Sequence, residues 1–143
     1  MSRPAEFLTD PRFFDISEGR EIQRLELASD LFAYSAVLGS ELVVRAPFIF
    51  EESIPRPLIG MAPAMGVTKR GACIHDALYR FGGYYEPEAG HPDTFIPVTR
   101  SQADAVYREM MVAKGYSPFL ARIRWLAVRL GGFTAWNQRH HRL

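Results

Sequence analysis

Residues 69–83 read Lys-Arg-Gly-Ala-Cys-Ile-His-Asp-Ala-Leu-Tyr-Arg-Phe-Gly-Gly, and this stretch decides the fold class. Its apolar residues recur at intervals of three and four, at Ile74, Ala77, Leu78 and Phe81. This spacing is typical of an amphipathic helix. Thr68 is a favoured N-cap residue type, and Gly82-Gly83 is a stop signal. The sequence therefore predicts a helix over 69–81, where the chain changes from a strand-like to a helical pattern.

Two further helices are predicted after it, over 101–114 and 118–130. Ser101 begins the first and Gly115 follows its end, while Ser117-Pro118 and Gly131 bound the second. The predicted inward residues are Ala103, Val106, Met110 and Ala113 on the first, and Leu120, Ile123, Ala127 and Leu130 on the second. The opposite face of the last helix carries Arg122, Trp125 and Arg129, a surface patch for a partner or for cation-π stacking.

Before residue 69 the pattern is different. Residues 20–50 alternate polar and apolar positions and contain β-branched and aromatic side chains, which predicts a small, mostly antiparallel sheet. Residues 53–67 contain prolines and glycines that exclude regular helix or central strand, so they form a shaped loop. Residues 84–99 are a long loop or an irregular hairpin. The fold class is therefore α+β, with an N-terminal antiparallel sheet followed by about three helices.

Composition excludes several classes of protein. The 143 residues, 48% of them hydrophobic, fit a single domain over 1–143 around one core. A net charge of +1 argues against nucleic acid as a partner, and the apolar runs are too short for a transmembrane segment. The residues after Met1 do not read as a secretory signal, so we expect a cytoplasmic protein. The single cysteine, Cys73, is expected to be an inert buried thiol.

The candidate site lies on the first two helices. His75 and Tyr79 are one turn apart on one face, and Asp104 borders the apolar stripe of the next helix. If the two helices pack antiparallel, Asp104 can meet His75. A carboxylate that holds one imidazole nitrogen leaves the other to act as a general base toward water. The candidate catalytic residues are His75, Asp104 and Tyr79, and Asp76 on the adjacent face is a candidate ligand for a hard cation.

A purely structural alternative stays open for the same residues. Ser101-Gln102-Ala103-Asp104 has the spacing of a capping box, so Asp104 could serve only the start of its helix. His75 and Asp76 could be a hydrogen-bonded pair that only holds the helix in place.

The motifs Ser53-Ile54-Pro55-Arg56, His75-Asp76 with Tyr79, and Ala103-Asp104 with Gly115 closing the helix occur in this order. In this the chain resembles a family known as domain of unknown function 1353, which is widespread in tailed phages and their prophages. The resemblance covers about residues 48–131. The loop departs from the family pattern, because Glu51-Glu52 stands where the family carries an aspartate, and this puts a metal-binding role of the loop in doubt.

The His-Asp helix followed by an aspartate-bearing helix is also similar to secreted phospholipases A2. That resemblance implies His75 as the base, Asp76 as a calcium ligand and Asp104 as the carboxylate that orients His75. The chain departs from those enzymes as well, because it has no glycine-rich calcium loop with paired cysteines before the helix, and Cys73 has no cysteine partner.

The phage resemblance favours two functions of different classes, the second of them motivated by the geometry of the dyad. The first is a virion component, a small tail or baseplate-associated protein whose partners are other phage structural proteins. The alternative is a hydrolase of lipid or cell wall that uses the His75 and Asp104 dyad, with calcium or zinc as the expected metal. A third hypothesis is a host-factor binder that uses Trp125 or residues 84–99. All of them place the protein in a virion or in the host cytoplasm.

Overall fold

A computed structural model describes residues 3–18, 23–52, 65–131 and 136. These parts of the chain contain eight strands and three helices. Six strands precede the first helix, and two lie between the first and second helices. The strands are β1 (Glu6–Phe7), β2 (Phe13–Asp15), β3 (Gln23–Leu27), β4 (Leu31–Ser35), β5 (Ser40–Val44), β6 (Phe48–Glu52), β7 (Gly83–Glu86) and β8 (Thr94–Pro97). The helices are α1 (Met65–Phe81), α2 (Arg100–Ala113) and α3 (Pro118–Gly131).

The strands form two antiparallel sheets. One has five strands in the order β1-β4-β5-β7-β8, and the other has three in the order β2-β3-β6. The consecutive strands β3 and β4 therefore belong to different sheets, although Ser29-Asp30 between them looks like a hairpin turn. The predicted α+β class, with an antiparallel sheet before three helices, is confirmed. Strands β1 and β2 lie before the predicted strand-rich segment, and β7 and β8 make a hairpin of residues 84–99.

Helix α1 lies against the sheets through its apolar stripe. Ile74 and Leu78 are buried in one cluster with Leu25 and Leu27 of β3 and Phe50 of β6. An apolar cavity of about 290 Å³ remains between α1, β5 and β7. The predicted start of this helix is wrong, because residues 65–68 are already helical, so Thr68 is not its N-cap and the predicted loop is shorter than 53–67. Residues 53–64 lie outside the described residues.

Helix α2 packs against α1, and α3 packs against α2. The predicted start of α2 is wrong by one residue, because its N-cap is Thr99, whose side chain accepts a hydrogen bond from the backbone of Gln102 while the Gln102 side chain accepts one from the backbone of Thr99. This reciprocal pair satisfies two backbone donors of the first turn. Gly115 ends the helix with a φ of 101°, a conformation that favours glycine. Ala113, predicted to face inward, is exposed.

The predicted inward face of α3 is correct at Leu120, which packs against α2, and wrong at Leu130, which is exposed. The helix buries Ala121 and Arg124 and packs Leu120 and Val128 against Tyr107 and Met111 of α2, whereas Leu130 is exposed. The reason is that two arginines of α3 have polar partners on α2, and these contacts set the rotation of the helix. Trp125 does stack with an arginine, but the partner is Arg108 of α2, whose guanidinium lies 5.5 Å from the ring centroid.

Among the described residues, no helix combines the length and the apolar character needed to cross a bilayer.

Candidate active site

Helices α1 and α2 pack antiparallel, and this brings the predicted residues together. Gly71, near the start of α1, lies against Tyr107 and Met110 in the second half of α2, whereas Tyr79 near its end is hydrogen-bonded to Arg100 at the start of α2. Between these two contacts, His75 meets Asp104. One helical turn separates His75 from Tyr79, so both side chains reach the same carboxylate.

Asp104 is the centre of the site. Its Oδ1 lies 2.9 Å from Nε2 of His75 and accepts a hydrogen bond of 2.5 Å from the Tyr79 hydroxyl. Its Oδ2 accepts a hydrogen bond of 3.0 Å from Arg129 of α3, and Nε of Arg100 lies 3.9 Å away. The carboxylate is 0% exposed, so these groups replace its water shell. Asp104 does not cap its own helix, and the capping alternative is wrong.

The environment keeps Asp104 ionised. Burial alone would raise the pKa of this carboxyl, but hydrogen bonds from His75, Tyr79 and Arg129 hold the pKa below its usual value. Burial and the contact with Asp104 raise the pKa of the Tyr79 hydroxyl, which therefore stays a hydrogen-bond donor. An ionised carboxylate only accepts hydrogen bonds. It follows that Nε2 of His75 carries the proton in this pair.

The imidazole of His75 lies against two aromatic rings. Its centroid lies 4.3 Å from the ring of Tyr79 and 4.6 Å from that of Tyr107. No hydrogen bond joins Nδ1 to any of the described residues, and 15% of the side chain is exposed. With the proton on Nε2, Nδ1 is the nitrogen with a free lone pair. The arrangement therefore has the parts of a general-base dyad: an oriented imidazole, a buried carboxylate bonded to one ring nitrogen, and a second ring nitrogen with no hydrogen bond to the described residues.

Residues of α3 complete the network, and sequence reasoning missed them. Arg129 reaches Asp104 directly, and Arg100 is fixed by hydrogen bonds of 2.8 and 2.6 Å to the carbonyls of Val128 and Arg129. These two carbonyls lie in the last turn of α3, where the helix has no donors of its own to satisfy them. Trp136 packs edge-on against Tyr79, with ring centroids 5.3 Å apart. The basic residues of α3 were a signal for this network, but their partners could not be chosen from spacing alone.

Asp76 lies on a different side of α1. Its carboxylate pairs with Arg80 one turn later at 2.8 Å, and Arg80 also donates to the carbonyl of Ile49 in β6. Calcium takes six to eight oxygen ligands, and no group of three or more His, Cys, Asp or Glu side chains that could hold a metal occurs in the parts of the chain that the structure describes. The described residues therefore do not fit a complete site for calcium or zinc. A metal role for Asp76 stays a prediction.

The apolar cavity does not open onto the dyad. Its walls include Ile74, Ala77 and Leu78, which face the sheets, whereas His75 faces α2. Cys73, beside His75 in the sequence, is fully buried, and burial raises the pKa of its thiol. This environment is that of an inert buried thiol.

Comparison with known proteins gives the class of the chain. Residues 25–128 match the family described as "Protein of unknown function (DUF1353)", and the chain belongs to that family. The match includes His75, Tyr79, Asp104 and Arg100, but it ends one residue before Arg129. No curated protein and no solved structure matches the chain. The family description names no activity.

Proposed function

We propose that this protein is a hydrolase in which His75 activates water as a general base and Asp104 orients it. One observation carries the proposal: Nε2 of His75 is hydrogen-bonded to a fully buried, ionised carboxylate, and Nδ1 has no partner among the described residues. When Nδ1 takes a proton from water, the charge of Asp104 stabilises the imidazolium that forms. The hydroxide equivalent attacks a carbonyl carbon, and the proton then passes from Nδ1 to the leaving group. Esters and amides of lipids or of the cell wall are the proposed substrate classes.

Tyr79 and Arg129 are proposed as positioning residues. Tyr79 shares Oδ1 of Asp104 with His75, and Arg129 holds Oδ2, so the carboxylate is fixed at both oxygens. A fixed carboxylate keeps the imidazole in one orientation and one tautomer. Neither residue is proposed to contact substrate.

The experiment compares matched histidine variants on phospholipid vesicles and on purified peptidoglycan, with calcium or zinc supplied. His75→Ala is expected to lower the hydrolysis rate by about 10²-fold or more. His91→Ala is the control, because His91 is exposed in the turn between β7 and β8. Tyr79→Phe is expected to lower the rate less while keeping the fold. Wild-type rates in a folded His75→Ala protein, or no hydrolysis of either substrate by the wild type, would reject the proposal.

A second candidate function is a tail or baseplate component of a phage virion. It is favoured by the contacts of Asp104, because this fully buried carboxylate joins α1, α2 and α3. Such contacts would also make the protein a rigid structural component. In this case the site residues hold the helices together and no substrate is bound. Mass spectrometry of purified particles tests it directly. Particles that assemble and infect without this polypeptide would reject it.

A further inference from the structure

The outer surface of α3 carries an apolar stripe in which three of the four side chains are exposed and Ile123 is half-buried. Its members are Phe119, Ile123, Leu126 and Leu130, spaced by four, three and four residues. This spacing places all four on one side of a helix. Phe119, Leu126 and Leu130 are 69%, 43% and 81% exposed. Ala121, Arg124 and Val128, which contact α2, lie on the opposite side of the helix, so the stripe faces away from α2.

The exposed charged side chains of residues 100–131, which include α3 and the α2 helix it packs against, all have one sign. The charged residues between 100 and 131 are the basic Arg100, Arg108, Lys114, Arg122, Arg124 and Arg129 and the acidic Asp104 and Glu109. Both acidic residues point inward, because Asp104 is fully buried and Glu109 accepts hydrogen bonds from the backbone of Ala36 and Val37. The exposed charges of this region are therefore Arg108, Lys114 and Arg122, and all are positive.

From this combination we infer that α3 is a docking surface for an anionic phospholipid bilayer. An apolar helix face bordered by basic residues lies in the interface plane, with its apolar side chains among the acyl chains and its cations at the headgroups. A second copy of this chain fits less well, because it would bring the same positive charges against each other. A bilayer needs no complementary shape, which agrees with apolar side chains that protrude from a convex helix. The inference does not depend on the proposed hydrolysis.

Vesicle co-sedimentation of the full chain tests this surface. Vesicles of phosphatidylglycerol and phosphatidylcholine are expected to bind the wild type more tightly than vesicles of phosphatidylcholine alone. High salt is expected to weaken that binding, because it screens the basic residues. Leu130→Asp and Leu126→Asp are expected to lower binding about tenfold each, since a buried leucine contributes an energy of that order. Arg122→Glu is expected to weaken binding to the anionic vesicles only.

Phe14→Asp is the matched control, because Phe14 is 56% exposed on β2 and lies outside α3. It is expected to bind vesicles like the wild type. Circular dichroism checks that each variant is folded. Equal binding by the wild type and the Leu130→Asp variant would overturn the inference, as would equal binding to both kinds of vesicle. A wild-type dimer that Leu130→Asp dissociates, without vesicle binding, would assign the stripe to a contact between copies instead.

Discussion

Nε2 of His75 lies 2.9 Å from Oδ1 of Asp104, which comes 29 residues later on the neighbouring helix. The same carboxylate is bonded to Tyr79 of α1 and to Arg129 of α3, so a single buried charge connects three helices. This relationship makes the site chemically capable of general-base work and also essential to the packing of the helical layer. Stability and activity therefore have to be measured separately.

Asp104→Asn is expected to lower the free energy of unfolding by about 3 kcal/mol, because it leaves Arg129 without its buried counter-charge. Urea denaturation of the two proteins measures this difference. Glu6→Gln is the control, since Glu6 forms an exposed ion pair with Arg3 that contributes little. If both variants unfold at the urea concentration of the wild type, the Asp104 network does not stabilise the fold.

The same carboxylate gives a pH dependence whose sign can be worked out. The folded-state pKa of Asp104 is below its ordinary value because His75, Tyr79 and Arg129 favour the ionised form against burial. Its contribution to stability is therefore present above the unfolded pKa of about 3.9 and is lost as pH falls through the lower folded value. We expect the stability difference between wild type and Asp104→Asn to shrink below about pH 4. A difference that stays constant down to pH 2 would contradict this reading.

Glu109 should show the opposite dependence. Burial raises the pKa of its carboxyl, although Ala36 and Val37 donate backbone hydrogen bonds to it. A raised folded-state pKa stabilises the protein below the unfolded pKa of about 4.3, and this stabilisation is lost as pH rises through the folded value. Glutamine does not titrate, so the Glu109→Gln variant is expected not to lose this stability as pH rises. Urea midpoints collected from pH 4 to 8 measure it, and identical slopes for both proteins would show that Glu109 titrates as an exposed group.

Some elements of the fold and site could be predicted from the sequence, and others could not. The helix with His75 was predictable because its apolar stripe is unambiguous, and the meeting of His75 with Asp104 required only antiparallel packing. The orientation of α3 was not predictable, because the helix has two faces that could pack inward. One carries Phe119, Ile123, Leu126 and Leu130, and the other carries Ala121, Arg124 and Val128. Pattern alone favours burying the more apolar face, but the partners of Arg124 and Arg129 on α2 favour the other.

The pairing of the strands in the two sheets could not be predicted from the sequence either. The strand patterns of β3 and β4 were readable, but their pairing was not, because each pairs with a short strand near the N-terminus whose two or three residues give no alternation to detect. Nor can spacing show that consecutive strands separated by Ser29-Asp30 enter different sheets. Long-range pairing depends on contacts between distant segments, and local propensity carries little information about these.

Cys73 offers a direct measure of how α1 opens, because it is fully buried in the core on the sheet side of this helix and burial raises the pKa of its thiol. A thiol-reactive disulfide reagent requires the thiolate and access to it, so labelling at pH 8 is expected to wait for opening of the helix. If that opening is limited by the Asp104 network, Asp104→Asn should speed labelling by about 10²-fold, the factor that corresponds to about 3 kcal/mol. Glu6→Gln should label at the wild-type rate. Rapid labelling of the native protein, unchanged by Asp104→Asn, would mean that Cys73 is reached without breaking the contact between His75 and Asp104.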